Sequence, residues 1–157
     1  MGCENTTTDG AVGSHAVFVD SVLQSMTLED KVGEMTQLTL GAIGVGKPYK
    51  LVEPQRLDTA KAYDALVTNR VGSVLNCGNH EHTPEKWHEF IAGIQHYAQQ
   101  KESKIPVLYG VDAIHGPTYT TNAVLVTQQI GLAATWNEGL VRENAENTAA
   151  QIFGCGI

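Results

Sequence analysis

The sequence predicts an α/β fold built on parallel strands. Three observations carry that reading. Short apolar runs at 71–75 and 105–111 alternate with windows of helical periodicity. The second run, Ile-Pro-Val-Leu-Tyr-Gly-Val, is almost free of polar residues, as expected of a strand buried on both faces of a parallel sheet. Turn and cap residues fall between the runs rather than inside them. With 157 residues, 42% of them hydrophobic, the chain can bury one core and is too short for two.

Each element follows from local chemistry. Val19, Val22, Leu23 and Met26 recur at helical spacing and predict a helix over 16–26. Thr27-Leu28-Glu29-Asp30 restarts a helix, because Thr27 and Asp30 suit a capping box; Leu28, Val32 and Met35 carry on its apolar face. Residues 37–40 are of strand length and the glycines of 41–46 break them. A second helical window spans 58–67, with Ala62, Leu66 and Val67 as its contacts. Val71 to Leu75 reads as a strand that ends in the turn residues Asn76 to Asn79. Thr83-Pro84-Glu85 joins a cap, a first-turn proline and an acid at the positive end of the dipole. The helix it starts carries Trp87, Phe90, Ile91, Ile94, Tyr97 and Ala98 on one face. After the 105–111 strand, 131–135 is small and apolar. Asn137 caps a last helix bearing Leu140, Val141, Ala145, Thr148, Ala149 and Ile152, and Gly154 suits its end.

Composition excludes several functions. Ten basic against seventeen acidic residues leave a net charge of −7 with no basic cluster, so a nucleic-acid partner is not expected. No apolar window is long enough for a membrane span. The glycines of 41–46 lack the Lys-Ser/Thr ending of a phosphate loop, and no cofactor is expected. Cys3, Cys77 and Cys155 are too few and too odd for a disulfide framework, and the last two read as small buried thiols. Cys3 supports two readings. It is either the lipid-bearing residue of a periplasmic or extracellular lipoprotein, with 4–10 as a tether, or part of an ordinary ragged terminus. Residues 1–15 are expected to form a disordered tail.

Ligands of parallel α/β folds meet the C-terminal ends of the strands. Two such ends carry polar groups: Asn76 to Asn79, and Asp112 directly after the most apolar strand. A carboxylate there needs hydrogen-bond partners. Sugar hydroxyls are suitable donors, and so are the backbone amides of the following loop; spacing alone leaves the two open. His115 reads as a packed, hydrogen-bonded residue rather than a base. Cys77, His80 and His82 match no common zinc spacing, and no metal is expected. Trp87, Phe90 and Tyr97 suit a core, whereas Trp136, just before a cap, suits either a core or a sugar platform.

Several segments resemble glycoside hydrolase family 3. Ser25 to Gln37 is similar to its opening helix and first strand, and Val71 to Asn76 to its second strand. Ile105 to Gly116, with Val111-Asp112-Ala113-Ile114-His115-Gly116 at its end, resembles the third strand and its signature loop. Thr120 to Ala123 and Gln128 to Asn137 look like the segment that follows. The resemblance covers about 19–137 and points to the β-glucosidase and exo-glucanase branch. It implies that 16–157 form an incomplete N-terminal domain, a partial (β/α) TIM-type barrel holding roughly the first three or four βα units. It also implies retaining hydrolysis of terminal β-D-glucosyl residues by two carboxyl groups. In that scheme Asp112 holds hydroxyls of the glucose ring of a β-glucoside or β-glucan, and His115 shapes the loop.

The departures are specific. The Ser/Thr-Asp-Trp motif of the family nucleophile is absent, as are the Arg-Trp-Gly-Arg and Lys-His segments that flank the sugar. Thr127 stands where the family has proline, beside unusual Val124 and Val126. The chain is therefore expected to be the N-terminal part of a longer enzyme and inactive by itself. A non-catalytic carbohydrate-binding or interaction module derived from the same fold is the alternative.

Overall fold

The computed structural model describes residues 9–77 and 80–157. Cys3 and most of the tether segment lie outside them. Helix α1, Asp9–Ser25, takes in residues 9–15, which the sequence assigned to the tail. Its apolar side chains stay open: Val17, Phe18, Val19 and Leu23 are all exposed. The periodic face exists, but little of the chain packs on it.

Helix α2, Leu28–Glu34, begins as expected. The Asp30 amide donates to Thr27 Oγ1 at 3.1 Å and the Thr27 amide donates to Asp30 Oδ2 at 2.9 Å, a closed capping box. Arg70 Nε adds an ion pair to Asp30 Oδ1 at 3.2 Å, tying the start of α2 to the turn before the second core strand. The Thr27 hydrogen bonds, helped by the Arg70 charge, hold the Asp30 carboxyl below its ordinary value of 3.8. A group whose pKa falls on folding stabilises the fold above its unfolded pKa and loses that contribution as pH drops through the folded value. Acid titration below about pH 4 is therefore expected to weaken α2 in the wild type. Asp30→Asn should flatten that part of the stability curve in circular dichroism, and an unchanged curve would deny Asp30 the role.

The central sheet has three parallel strands in the order β1 (Gln37–Thr39), β4 (Ser73–Leu75), β5 (Leu108–Gly110). Leu38 pairs with Val74 and Val74 with Tyr109, so these three share one face. Between β1 and β4 the chain forms α3 (Leu40–Ile43), a small antiparallel hairpin of β2 (Gly46–Lys47) and β3 (Lys50–Leu51), and α4 (Thr59–Tyr63), which runs into a π-helical turn over Asp64–Thr68. The segment 41–46, read as a break, is thus half helix and half hairpin. Asp58 Oδ1 caps α4 by accepting from the amides of Ala60 and Lys61.

Helix α5, Pro84–Ala98, crosses from β4 to β5, with Thr83 as its cap. Trp87, Phe90, Ile94 and Ala98 are buried against Val74, Leu66, Ala62 and Val107, the core of the molecule. The Trp87 indole N–H donates to the Tyr119 carbonyl at 3.2 Å, and its ring meets Tyr109 edge to face.

Two expectations fail here. The 105–111 run gives a strand of only three residues, and it is not buried on both faces. Gln95 intercepts it: its side-chain amide donates to the Val107 carbonyl at 2.7 Å and accepts from the Val107 amide at 3.1 Å. Pro106 has no N–H to add, so the ladder opens at Leu108. The face opposite Val74 and Tyr109 carries Gln37, Thr39, Ser73, Leu75, Leu108 and Gly110. Leu108 is 75% exposed on it. A parallel sheet normally covers both faces, and nothing among the described residues covers this one.

The chain closes with α6 (Gln129–Ala133) and α7 (Glu138–Phe153). Asn137 Oδ1 caps α7 by accepting from the Leu140 amide at 3.1 Å. No residue of α7 is fully buried: Leu140 and Val141 stay exposed, while Thr148 and Ile152 of the expected face are half-buried. Gly154 follows in ordinary helical conformation; the left-handed residue is Gly156, at φ +82. Among the described residues no helix is long and apolar enough to cross a membrane.

Candidate functional site

The C-terminal ends of β4 and β5 lie side by side, because Leu75 pairs with Gly110. That register brings Asn76 and Asp112 together from 36 residues apart. The Asn76 side-chain amide donates to Asp112 Oδ2 at 2.7 Å, and its oxygen accepts from the Asp112 backbone amide at 2.8 Å. One amide thus grips both the carboxylate and the main chain of Asp112. Asn76 is itself fixed. Its backbone amide donates to the Gly110 carbonyl at 2.9 Å, and its carbonyl accepts from the Tyr109 hydroxyl at 2.7 Å. It sits at φ +52, a left-handed conformation that asparagine tolerates better than most residues. Burial pushes the Tyr109 phenol far above its ordinary pKa, so it stays a neutral donor.

The Asp112 carboxylate is exposed at this rim. Among the described residues its Oδ1 has no hydrogen-bond partner, while Oδ2 is held. An ionised carboxylate presented this way accepts hydrogen bonds from hydroxyl groups. The sequence identified Asp112 and placed Asn76 in the other polar strand end, 76–79, without pairing the two. The pairing was accessible in principle, since both residues follow neighbouring parallel strands.

His115 lies in the loop beyond. Its Nδ1 lies 3.3 Å from the Val126 carbonyl and its Nε2 3.0 Å from the Gln128 side-chain nitrogen. The first contact needs a proton on Nδ1; the second then lets Nε2 accept from the Gln128 amide. The Val126 amide donates back to the His115 carbonyl at 2.8 Å. Both ring nitrogens are occupied in tying the loop together, which matches the structural part expected of this residue. Gly116, at φ +78, completes the turn; a Cβ there would meet the Val124 carbonyl at 2.7 Å.

Cys77, His80 and His82 do not converge. The Cys77 thiol donates to the His80 carbonyl, and burial pushes its pKa up to about 11, so it is not a thiolate near neutrality. The His80 ring faces Glu53 at 3.3 Å. The His82 ring is buried edge-on to Trp87 with its centroid 5.3 Å away, and that burial lowers its pKa. Among the described residues no three His, Cys, Asp or Glu side chains are grouped to hold a metal ion. Trp136 is 94% exposed at φ +53, so it belongs to no core here. It edges an open groove of about 650 Å³ between α6 and α7, away from Asp112.

Comparison with known proteins identifies the family and the fold. The family model described as "Glycosyl hydrolase family 3 N terminal domain" matches residues 27–157. The lysosomal beta glucosidase of Dictyostelium discoideum is 29% identical over 143 residues, covering 89% of this chain and 17% of that protein. A crystal structure of a mutant exo-1,3/1,4-beta-glucanase (ExoP) from a Pseudoalteromonas species superposes with a TM-score of 0.70 at 24% identity. That match covers 90% of this chain and 21% of the other, and it supports the mixed α/β fold with its parallel sheet. The chain spans about a fifth of the length of these relatives. On the match over 27–157, the chain belongs to glycosyl hydrolase family 3, within its N-terminal domain.

Proposed function

We propose that this chain is the N-terminal part of a retaining β-glucosidase or exo-glucanase, and that Asp112 binds hydroxyls of the terminal glucose. The observation that carries the reading is the exposed Asp112 carboxylate. It stands at the C-terminal rim of a parallel sheet, one oxygen clamped by Asn76 and the other without a partner among the described residues. β1, β4 and β5 are then successive strands of a (β/α) barrel, and the uncovered face with Leu108 is the side turned to its interior. The nucleophile comes from sequence outside these residues, since no Ser/Thr-Asp-Trp motif occurs in them, and the acid is placed outside them with it by the family resemblance.

On this reading the chain by itself does not hydrolyse glycosides. Purified to homogeneity and assayed with an aryl β-D-glucoside, it is expected to release no phenol above the buffer rate. Turnover that co-elutes with the chain through several columns would overturn the proposal. The alternative is a non-catalytic carbohydrate-binding or interaction module. As a free-standing sugar-binding module it is disfavoured by the open apolar surface, since Met35, Ile130, Leu108 and Trp136 are each at least 75% exposed. As an interaction module it would need a partner over that surface.

A further inference from the structure

We infer that Asn76, held in turn by Tyr109, is the positioning residue for the glucose-binding carboxylate. This rests on the reading of Asp112 given above and extends it to the group that aims the carboxylate. The clamp has two parts, a 2.7 Å bond to Oδ2 and a 2.8 Å bond from the Asp112 amide. Together they fix the rotation of the carboxylate about its Cα and leave Oδ1 as the hydroxyl-accepting oxygen. The alternative partners foreseen for Asp112, amides of its own following loop, do not hold its carboxylate among the described residues; the donor comes from the neighbouring strand. Tyr109 closes the chain of contacts by donating to the Asn76 carbonyl at 2.7 Å, and its ring is anchored on Trp87. Tyr109 and Asn76 therefore tie a buried core to an exposed ligand group. A carboxylate on a loop needs this support, because a displacement of about 1 Å is enough to cost 100-fold in rate.

The test is a double-mutant cycle in the longer enzyme that carries this segment. Asn76→Gly removes the clamp but keeps the left-handed backbone free of strain. It is expected to lower kcat/KM by about 10- to 100-fold. Combined with Asp112→Asn, it should add little, because the charge that the clamp aims is already gone. Asn76→Asp supplies a readout that a purely structural role would not move. Two carboxylates at the 2.7 Å separation of this clamp resist ionising together, so the shared proton leaves only at raised pH. The pair should hold one proton at low pH and preserve the clamp, then lose it as pH rises. Its kcat/KM profile is expected to gain a further alkaline step, in addition to the limb that the general acid gives both the wild type and Asn76→Gly. The neighbouring Tyr109 and Cys77, both raised by burial, stay neutral over that range. If Asp112→Asn alone leaves the kinetics unchanged, the reading of Asp112 falls and the inference with it. If Asp112→Asn is impaired while Asn76→Gly behaves as wild type, or the two losses simply add, the inference alone is overturned.

Discussion

Asp112→Asn, made in the longer enzyme, is expected to cut kcat/KM by the equivalent of about 2–4 kcal/mol, roughly 30- to 900-fold. The substitution keeps the size of the side chain and its bond from the Asn76 side chain, but it removes the negative charge. Hydrogen bonds from sugar hydroxyls to a charged acceptor are about twice as strong as those to a neutral one. They tighten further as the ring flattens toward an oxocarbenium-like transition state. The loss should therefore fall on kcat as well as KM. A loss confined to KM would mean that Asp112 binds ground state and transition state alike. Unchanged kinetics would remove it from the site.

Glu34→Gln is expected to damage the fold itself strongly. Lys101 is almost completely buried, its side chain 1% exposed, and its ammonium lies 2.6 Å from Glu34 Oε1. Neutralising Glu34 leaves that buried ammonium without its ion-pair partner, a loss of about 3–5 kcal/mol. Domains of this size have only about 5–15 kcal/mol of stability in all. The pair also fixes α2 against the turn that follows α5. Space there is tight, since a Cβ on Gly72 would lie 2.4 Å from the Glu34 carbonyl. Glu34→Gln should shift the urea midpoint sharply downward. The double change Glu34→Gln with Lys101→Met should recover most of the loss, because no buried charge then remains. If the single variant unfolds at the wild-type midpoint, the buried pair contributes nothing.

Much of the fold was legible because its signals are local. Thr27 and Asp30 sit three residues apart, and their capping box formed as the spacing requires. Thr83 and Pro84 opened α5, and the period of Trp87, Phe90 and Ile94 gave its buried face. Asp112 was legible as a polar group at a strand end. What the sequence did not disclose are pairings set by register. Asn76 meets Asp112 across 36 residues, and Lys101 meets Glu34 across 67. No periodicity reports such contacts, since they exist only once neighbouring strands are aligned. The length of β5 was overestimated for a similar reason. Val107 looks like a ladder residue, yet Gln95, twelve positions earlier on α5, takes both of its backbone groups. The apolar faces of α1 and α7 were read correctly as patterns, but a pattern does not say what packs on it. Val19, Leu23, Leu140 and Val141 remain exposed.

The most direct measurement is a crystal structure of the longer enzyme with glucose bound. Asp112 Oδ1 is expected within about 3.2 Å of one or two ring hydroxyls, with Oδ2 still on the Asn76 amide. A glucose molecule seated elsewhere, with the Asp112 carboxylate in contact with solvent alone, would contradict the assignment of this rim as the sugar-binding edge.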